Sequence, residues 1–511
     1  MSNLAVIDIG SNSITLVLAE IINNKYYKVI DILKETVRLG EDMGLEEKPF
    51  IKPNRMSAAI KTLRMFKNLC DATETYDVIA VATAAVRKAV NKRDFLKKVK
   101  EEIDLDVDVL SGEEEAFYDF CAVTHSLDNN DGLIIDVGGG SVELIWMKDR
   151  KIKKSVSLPF GALDLTQRFD LYDSIESDQE EKLNNYVNNK YSELKWLSEI
   201  GDIPLIGVGG TVRNIAKIDQ NKKDYPLEIL HNYQMKQEEV KVIYNKVKSS
   251  CLEERLNIGG LSSKRADIFI GALALVRIIM DICNIDDLYI CGKGIREGVI
   301  YNHLYPDGCS NSNDVLDFSI ENFMYNFNMK GNHNYRIHFL TIRLYNQLKT
   351  LINLTLDNID NIIKVAAILH DCGTSINYYD HHEHSFYIIL NSGLNGLTHR
   401  ELLMSAYIAA SHRHTKYKLK KYNLNRSNFK QIINKNGKDK ELIRKVGVLL
   451  EIAEGLDRNM MGIVEDVECI IVNDSVIIKT IAKEDIELEI KDALSAAKGF
   501  EKLFEKKLII R

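Results

Sequence analysis

One pattern, a strand that ends in an aspartate and a glycine turn, occurs twice in this chain and limits the folds it can adopt. Residues 4–21 read LAVIDIGSNSITLVLAEI, and residues 132–149 read GLIIDVGGGSVELIWMKD. In both segments a second strand leads away from the turn. The two aspartates lie about 130 residues apart, and strands and amphipathic helices follow each of them. We interpret the chain up to about residue 305 as two similar α/β halves that face each other across a cleft.

The pattern changes beyond the second half. The segment YPDGCSNSND at 305–314 is polar and contains Pro and Gly, which indicates a domain boundary. The chain then reads as helical to about residue 463. From 464 to 490 it shows β alternation with a hairpin turn at NDS, and a last helix follows. A chain of 511 residues is too long for one core. The predicted domains are 1–125, 126–305, a helical domain at 311–463 and a small α+β domain at 464–511.

Charge and hydropathy exclude several classes of protein. The net charge of −7 and the pI near 6.0 do not suit a general nucleic-acid binder. No apolar run reaches about 18 residues, and the N-terminal residues lack a secretory signal pattern. We therefore expect a cytoplasmic protein without nucleic-acid or membrane partners. Two basic stretches, KIKK at 151–154 and KYKLKK at 416–421, read as solvated faces unless the substrate is a polyanion.

Glycine turns at strand ends suit the binding of phosphate. Glycine lets the backbone turn tightly and approach a ligand closely, and successive N–H groups then point into one concavity. Four such turns follow strands here: DIGSNS at 8–13, DVGGGS at 136–141, GVGGT at 207–211 and CGKGIREG at 291–298. The aspartates Asp8 and Asp136 suit Mg²⁺, which takes one or two carboxylates together with substrate phosphates. Glu143, on the strand after Asp136, could face the same space.

Five motifs in their order give this chain a family resemblance. DIGSNS, SGEEEA, DVGGGSVE, GVGGT and GIREGVIY resemble the exopolyphosphatase and guanosine pentaphosphate phosphatase (Ppx/GppA) family over residues 4–305. The resemblance implies two actin-like domains of the ASKHA, ribonuclease H-like type around a cleft, followed by an all-α HD-like domain and a small α+β domain. It implies hydrolysis of a terminal phosphoanhydride, in polyphosphate or in guanosine pentaphosphate (pppGpp). A sugar kinase is less compatible, because the chain shows no clear adenosine motif.

The resemblance also assigns roles to residues. In the run Glu113, Glu114, Glu115 the residues alone leave the register open, since acidic groups stabilise the first turn of any helix. The family motif places the catalytic base at Glu115. The segment ATAAVRKA carries a phosphate-binding arginine, here Arg87. The remaining phosphate-binding positions are Ser11, Asn12, Ser13, Gly138, Gly139, Gly140, Ser141, Gly209, Gly210 and Thr211. Asp8, Asp136 and Glu143 would hold Mg²⁺ or Mn²⁺. The segments at 265–267 and 294–298 resemble family segments near the cleft and receive no role.

The helical region carries a second set of candidate ligands. His338, His370, Asp371 and Asp457 follow the order H…HD…D of metal-dependent HD phosphohydrolases. His384 and His412 occupy positions that could hold a second metal.

The residues leave two interpretations of this half open: a metal-free module for binding and dimerisation, and a domain with an additional divalent metal. An intact site would allow a phosphodiesterase, or a protein that senses polyphosphate or alarmone. The resemblance further implies a homodimer. Lys416, Lys418, Lys420 and Lys421 are predicted to guide a polyphosphate chain.

Overall fold

The fold is that of a computed structural model, which describes most of the chain. Its described residues are 2–41, 43, 48–306, 314–329, 331–354, 356–413, 429–433 and 437–511. The basic stretch at 416–421 and most of the predicted linker at 305–314 lie outside them. The described residues form two compact units, Met1–Val315 and Leu316–Arg511.

The first sheet of unit 1 has five strands in the order β3-β2-β1-β4-β5. The three earliest strands are antiparallel neighbours, while β4 runs parallel to β1 and β5 parallel to β4. The strands are β1 Ser2–Ile9, β2 Ser13–Ile22, β3 Tyr26–Thr36, β4 Asp77–Ala82 and β5 Asp108–Val109. The helices of this half are α1 Pro53–Ala72, α2 Ala84–Lys88, α3 Lys92–Ile103 and α4 Gly112–Thr124.

The second sheet of unit 1 has six strands in the order β10-β11-β9-β6-β7-β8. Its strands are β6 Gly132–Val137, β7 Val142–Lys148, β8 Lys151–Leu158, β9 Leu205–Val208, β10 Gln234–Lys236 and β11 Asp287–Ile290. Its helices are α5 Ala162–Phe169, α6 Ser177–Ser192, α7 Gly209–Lys222, α8 Gln237–Lys248, α9 Leu252–Leu256, α10 Phe269–Ile282 and α11 Ile295–Leu304. The apolar helix α10 is the most buried of these, because it packs against α5, α6 and α8.

The two sheets repeat one topology, in agreement with the repeat in the sequence. The strand order β8-β7-β6-β9-β11 reproduces the order β3-β2-β1-β4-β5. Both opening hairpins also turn in the same way. The N–H of Gly10 donates to the carbonyl oxygen of Ser13 at 3.1 Å, and the N–H of Gly138 donates to that of Ser141 at 3.0 Å. The repeated sequence thus produces two equivalent glycine turns, one at the end of each sheet's central hairpin.

Unit 2 combines helices with a small sheet. The helices that precede the sheet are α12 Val315–Asn326, α13 Gly331–Ile352, α14 Ile359–Ile368, α15 His381–Asn391, α16 His399–Ala410 and α17 Lys438–Leu456. The sheet contains β12 Val464–Ile471, β13 Ser475–Ala482 and β14 Lys507–Ile510, with helices α18 Glu487–Ala493 and α19 Ala497–Phe504 between its last two strands. The helix α17 is largely buried and contacts α13, α16 and α18.

The β structure predicted for 464–490 extends beyond the end of the observed strands. The hairpin of β12 and β13 forms around the predicted turn, but β13 ends at Ala482 and residues 487–493 are helical. Glu487 and Glu489 lie in the first turn of α18, where acidic side chains stabilise a helix. The helix also buries Glu489 and Ala493. Packing against α17 therefore overrides the alternating pattern.

No helix in the described ranges is both long enough and apolar enough to cross a membrane.

Candidate functional site

The glycine turns of unit 1 converge on one polar cavity of about 120 Å³. All four turns that the sequence singles out contribute to its wall. Its lining residues are Asp8, Gly10, Ser11, Asn12, Ser13, Thr15, Lys34, Thr83, Glu115, Asp136, Val137, Gly138, Gly139, Ser141, Gly209, Gly210, Arg213, Arg265, Gly294, Ile295 and Arg296.

The turns of the two repeats lie against each other in this cavity. A Cβ atom at Gly139 would come within 3.2 Å of the Cβ of Ser11, and one at Gly140 within 2.9 Å of the Ser11 hydroxyl. A side chain at either glycine would press against Ser11, so the two glycines allow the turns to approach closely. The close approach places backbone N–H groups from both halves of unit 1 around the same space.

The third turn is the beginning of helix α7. Gly209 is its first residue and has a φ of +81°, a conformation that other residues rarely adopt. A side chain there would overlap the Asp136 carboxylate. Since the first N–H groups of a helix lack partners within the helix, the start of α7 can bind an anion in the cavity.

Strand register sets the acidic side of the cavity. Asp136 pairs across the sheet with Glu143, and Glu143 pairs with Ser157. Directly opposed residues of antiparallel strands project on the same face, so the two carboxylates lie side by side. Asp8 occupies the equivalent position in the first sheet, opposite Thr15. Burial raises the pKa of Asp8 to about 6, although the Arg296 guanidinium opposes the shift.

Glu115 reaches the cavity from the first turn of α4. Ser111 caps this helix: its hydroxyl accepts from the N–H of Glu114 at 3.1 Å, and the Glu114 carboxylate accepts from the N–H of Ser111 at 2.7 Å. The cap uses Glu114 and leaves Glu115 to face inward, where it is buried. Burial raises the pKa of Glu115 to about 7, against the lowering effect of Arg87. A carboxyl group with such a pKa suits general base work near neutral pH.

Arg87 lies behind this carboxylate and does not line the cavity. Its Nη1 donates to Glu115 Oε2 at 2.8 Å and to the carbonyl oxygen of Leu110 at 2.9 Å. In this geometry Arg87 orients Glu115, and its predicted contact with phosphate stays a prediction.

Three further predicted residues also lie outside the lining. Glu143 is buried and accepts a hydrogen bond from the Ser157 hydroxyl at 2.8 Å. The Thr211 hydroxyl donates to the carbonyl oxygen of Val137 at 3.1 Å. The carbonyl oxygen of Gly140 accepts from Lys88. These residues hold the wall in place, while Asp8, Glu115 and Asp136 present their carboxylates to the cavity.

The cavity has a cationic side that the sequence motifs did not assign. Lys34, Arg213, Arg265 and Arg296 all belong to its lining. Partial desolvation on the cavity side lowers the pKa of Lys34 to about 8, and the neighbouring guanidiniums add to the shift. Arg213 is held through its Nε, which donates to the carbonyl oxygen of Gly209 at 2.9 Å.

The sequence contains a motif near three of these four cations. Arg213 lies two residues after GGT, Arg265 begins the RAD segment, and Arg296 lies within GIREG. Lys34 has no motif around it. It enters the site because strand register aligns it with Thr15 and thus with Asp8.

A buried aspartate one turn after Glu115 was also missed. Asp119 is fully buried, and neither of its carboxylate oxygens has a hydrogen-bond partner among the described residues. Burial raises the pKa of Asp119 well above its ordinary value, and the neighbouring Asp136, Glu143 and Glu115 add to the shift. Asp119 therefore adds an acidic group behind the cavity wall.

The donor set fits a hard divalent cation. Asp8 and Asp136 offer oxygen ligands on one side of the cavity, and the arginines on the other side suit phosphate oxygens. A phosphate group and a divalent cation together would satisfy both sides.

In unit 2 the structure brings together a cluster that differs from the predicted one. His370 and Asp371 lie with His333, and Asp371 also lies with His381 and His412. Asp457 bonds to His333. The predicted ligands His338 and His384 are not in these groups. Residues 333 and 338 are separated by about 140° around an α-helix, so one helix cannot present both to the same cluster, and the choice of His338 was wrong in register.

Comparison with known proteins places this chain. A profile of the Ppx/GppA phosphatase family matches residues 15–306, and a profile of domain III of these phosphatases matches residues 315–482. The chain belongs to the Ppx/GppA phosphatase family. This confirms the resemblance that the sequence motifs indicated.

Three relatives are 27–30% identical to this chain over the residues that align. A bifunctional 3-dehydroquinate synthase/phosphatase of Fusobacterium nucleatum is 30% identical over 54% of this chain, which spans 43% of that longer protein. A guanosine-5'-triphosphate,3'-diphosphate pyrophosphatase of Pseudoalteromonas atlantica is 27% identical over 77% of this chain and 76% of its own length. The crystal structure of an exopolyphosphatase from Cytophaga hutchinsonii superposes with a TM-score of 0.57 at 27% identity, over 60% of this chain and 99% of that one.

Proposed function

We propose that this Ppx/GppA phosphatase is an exopolyphosphatase that releases terminal orthophosphate from inorganic polyphosphate. The observation that carries the proposal is the buried carboxylate of Glu115 in a cavity whose opposite side holds Lys34 and three arginines. Hydrolysis of a phosphoanhydride depends on positioning, neutralisation of charge and a base for water. The cavity contains a group for each of these tasks.

The reaction is a displacement by water. The glycine turns and the start of α7 hold the terminal phosphate, and the arginines neutralise its charge. Glu115 accepts a proton from the water that attacks phosphorus, and the bond to the bridging oxygen breaks, so that this oxygen stays on the shortened chain. Asp8 and Asp136 would hold Mg²⁺ or Mn²⁺, which neutralises phosphate oxygens when bound.

Hydrolysis of pppGpp is the alternative activity of the same site. Both substrates end in the same phosphoanhydride, and the relatives include a protein named for each activity. The helical unit 2 favours polyphosphate as the substrate, by the resemblance to long family members. We further infer that the protein is a cytoplasmic homodimer. Size-exclusion chromatography with light scattering would test the dimeric state.

The experiment measures phosphate release with Mg²⁺ from long-chain polyphosphate and from pppGpp in parallel. Glu115→Gln is expected to lower the rate by about 10²–10⁴-fold, because it removes the base and keeps the shape. The matched control is Glu113→Gln, an exposed glutamate on the same helix turn, which is expected to leave the rate unchanged.

The ratio of kcat/KM for the two substrates decides between polyphosphate and pppGpp. If neither substrate is hydrolysed, or if Glu115→Gln is as active as the wild type, the proposal is wrong.

A further inference from the structure

Three histidines of unit 2 have one ring nitrogen already committed to the backbone. The Nδ1 of His370 lies 2.7 Å from the carbonyl oxygen of Ala367, and the Nδ1 of His381 lies 2.7 Å from that of Tyr378. The Nδ1 of His412 lies 2.6 Å from the carbonyl oxygen of Ala409. A carbonyl oxygen only accepts, so each Nδ1 carries the proton and donates. In the neutral rings each Nε2 therefore carries a lone pair.

A fourth histidine is oriented by a carboxylate. The Nδ1 of His333 lies 2.8 Å from Asp457 Oδ2, and the other oxygen of Asp457 accepts from the N–H of Gly462 at 2.8 Å. The Nε2 of His333 has no hydrogen-bond partner within the described ranges. A carboxylate behind an imidazole is the arrangement by which proteins orient a metal-binding histidine.

The Nε2 atoms of His370, His381 and His412 converge on the carboxylate of Asp371, and a ring nitrogen of His333 belongs to the same cluster. The Oδ1 of Asp371 lies 3.0 Å from His381 Nε2 and 3.5 Å from His412 Nε2, and its Oδ2 lies 3.6 Å from His370 Nε2. The Nε2 atoms of His381 and His412 are only 2.9 Å apart. His370, His381 and His412 are buried. Lone pairs that face each other without a donor between them cost free energy in a buried site.

We propose that this cluster binds two divalent metal ions bridged by Asp371. One ion would take His333, His370 and Asp371 Oδ2, and the other His381, His412 and Asp371 Oδ1. Within each set the ligand atoms lie within 4.8 Å of one another. Imidazole ligands favour Fe²⁺ or Zn²⁺ over Mg²⁺, so this centre differs in metal preference from the carboxylate site of unit 1.

The centre opens onto a cavity that can admit a further ligand. His333 and Asp371 form part of the wall of a cavity of about 750 Å³ in unit 2, together with Asn332, Thr374 and Ser375. Three protein ligands leave coordination positions of each ion unfilled. A phosphate group is the ligand that suits two adjacent cations in an open polar cavity.

A shared proton is the competing explanation of the short contacts. If His381 were protonated, it could donate to Asp371 or His412 and no ion would be needed. Donation to Asp371 would leave the lone pairs of His333, His370 and His412 unsatisfied, and donation to His412 would still leave those of His333 and His370. Metal binding satisfies all of them, and a count of bound ions separates the two explanations.

The experiment counts Mn²⁺ bound to the full chain after metal removal, reloading and gel filtration. The wild type is expected to retain about two ions per chain more than Asp371→Asn, with the electron paramagnetic resonance spectrum of a coupled pair. His370→Ala and His412→Ala are expected to lose the coupling and leave isolated ions. The control is His338→Ala. His338 lies on the same helix as His333 but outside the cluster, so this variant should bind as many ions as the wild type.

Circular dichroism and phosphate release by unit 1 verify that the variants are folded. Inorganic phosphate is the probe of the cavity, and its phosphorus resonance should broaden more with Mn²⁺-loaded wild type than with Asp371→Asn. The proposal fails if wild type and Asp371→Asn retain equal numbers of ions. It also fails if the wild type shows isolated ions without coupling, or if His338→Ala loses as much metal as His370→Ala.

Discussion

The ion pair between Arg87 and Glu115 makes a quantitative prediction about the pH dependence of phosphate release. Glu115 acts as a base only when ionised, and its pKa is about 7, so kcat/KM should rise with pH through about 7. Arg87 lowers that pKa by its charge and by its hydrogen bond. Arg87→Met removes both effects, and the acid limb of the profile should therefore move to higher pH.

The size of the shift follows from the geometry. Nη1 and Oε2 are 2.8 Å apart, and only 23% of the Arg87 side chain and 11% of the Glu115 side chain are exposed. Charge centres about 4 Å apart interact by about 4 kcal/mol at an effective dielectric constant of about 20. Since one pKa unit corresponds to about 1.4 kcal/mol, the limit is about 3 units. We expect the acid limb to move by about 1–3 units.

The assay is kcat/KM for polyphosphate between pH 5 and pH 10, with saturating Mg²⁺. Arg87→Lys keeps the charge and should shift the limb less than Arg87→Met. Arg93→Met removes an exposed arginine of α3 and should leave the profile unchanged. A lower rate with the acid limb still at about 7 would refute the reasoning, because Arg87 would then act on the substrate and not on the base.

Three other perturbations test the site. Asp119→Asn should raise the Tm at pH 8 and change it little at pH 5, measured by thermal unfolding in EDTA. The raised pKa of Asp119 stabilises the folded state at low pH, and this contribution is lost as the pH rises; equal shifts at both pH values would contradict it. Gly209→Ala should lower the rate of phosphate release at least about tenfold, which corresponds to about 1.4 kcal/mol, because the added methyl group overlaps Asp136. The control Gly201→Ala places its methyl group in open space and should leave the rate unchanged. Arg265→Met should raise KM for polyphosphate about 10–150-fold, the loss of one charge-assisted hydrogen bond of about 1.5–3 kcal/mol, and an unchanged KM would remove Arg265 from substrate binding.

The sequence predicted those parts of the site that depend on local structure. The glycine turns, Asp8 and Asp136 follow from strands that end in the same way twice, and Glu115 was separated from its neighbours only by the family motif. The capping box explains the separation afterwards, since it uses Glu114. Arg265 and Lys34 could not be predicted from residues alone, because long-range packing and the pairing of β2 with β3 bring them to the cavity.

The histidine cluster shows the same limit. His333 and His338 share one helix, and the order of motifs does not tell which of them faces His370. Only the packing of α13 against α14 and α17 decides this. The sequence therefore indicated a cluster of histidines with Asp371 in the helical half, but it selected His338 where the structure places His333.

The two sites differ in what must bind first. The cavity of unit 1 has carboxylates on one side and cations on the other, so a metal ion alone meets repulsion from Lys34 and the arginines until phosphate neutralises them. The cluster around Asp371 presents only lone pairs and a carboxylate, so a metal ion needs no anion to enter. We expect Mn²⁺ bound without phosphate to report mainly on unit 2, and phosphate to increase metal binding mainly in unit 1. A titration of Asp371→Asn with Mn²⁺, with and without phosphate, separates the two, because that variant should take up Mn²⁺ only when phosphate is present.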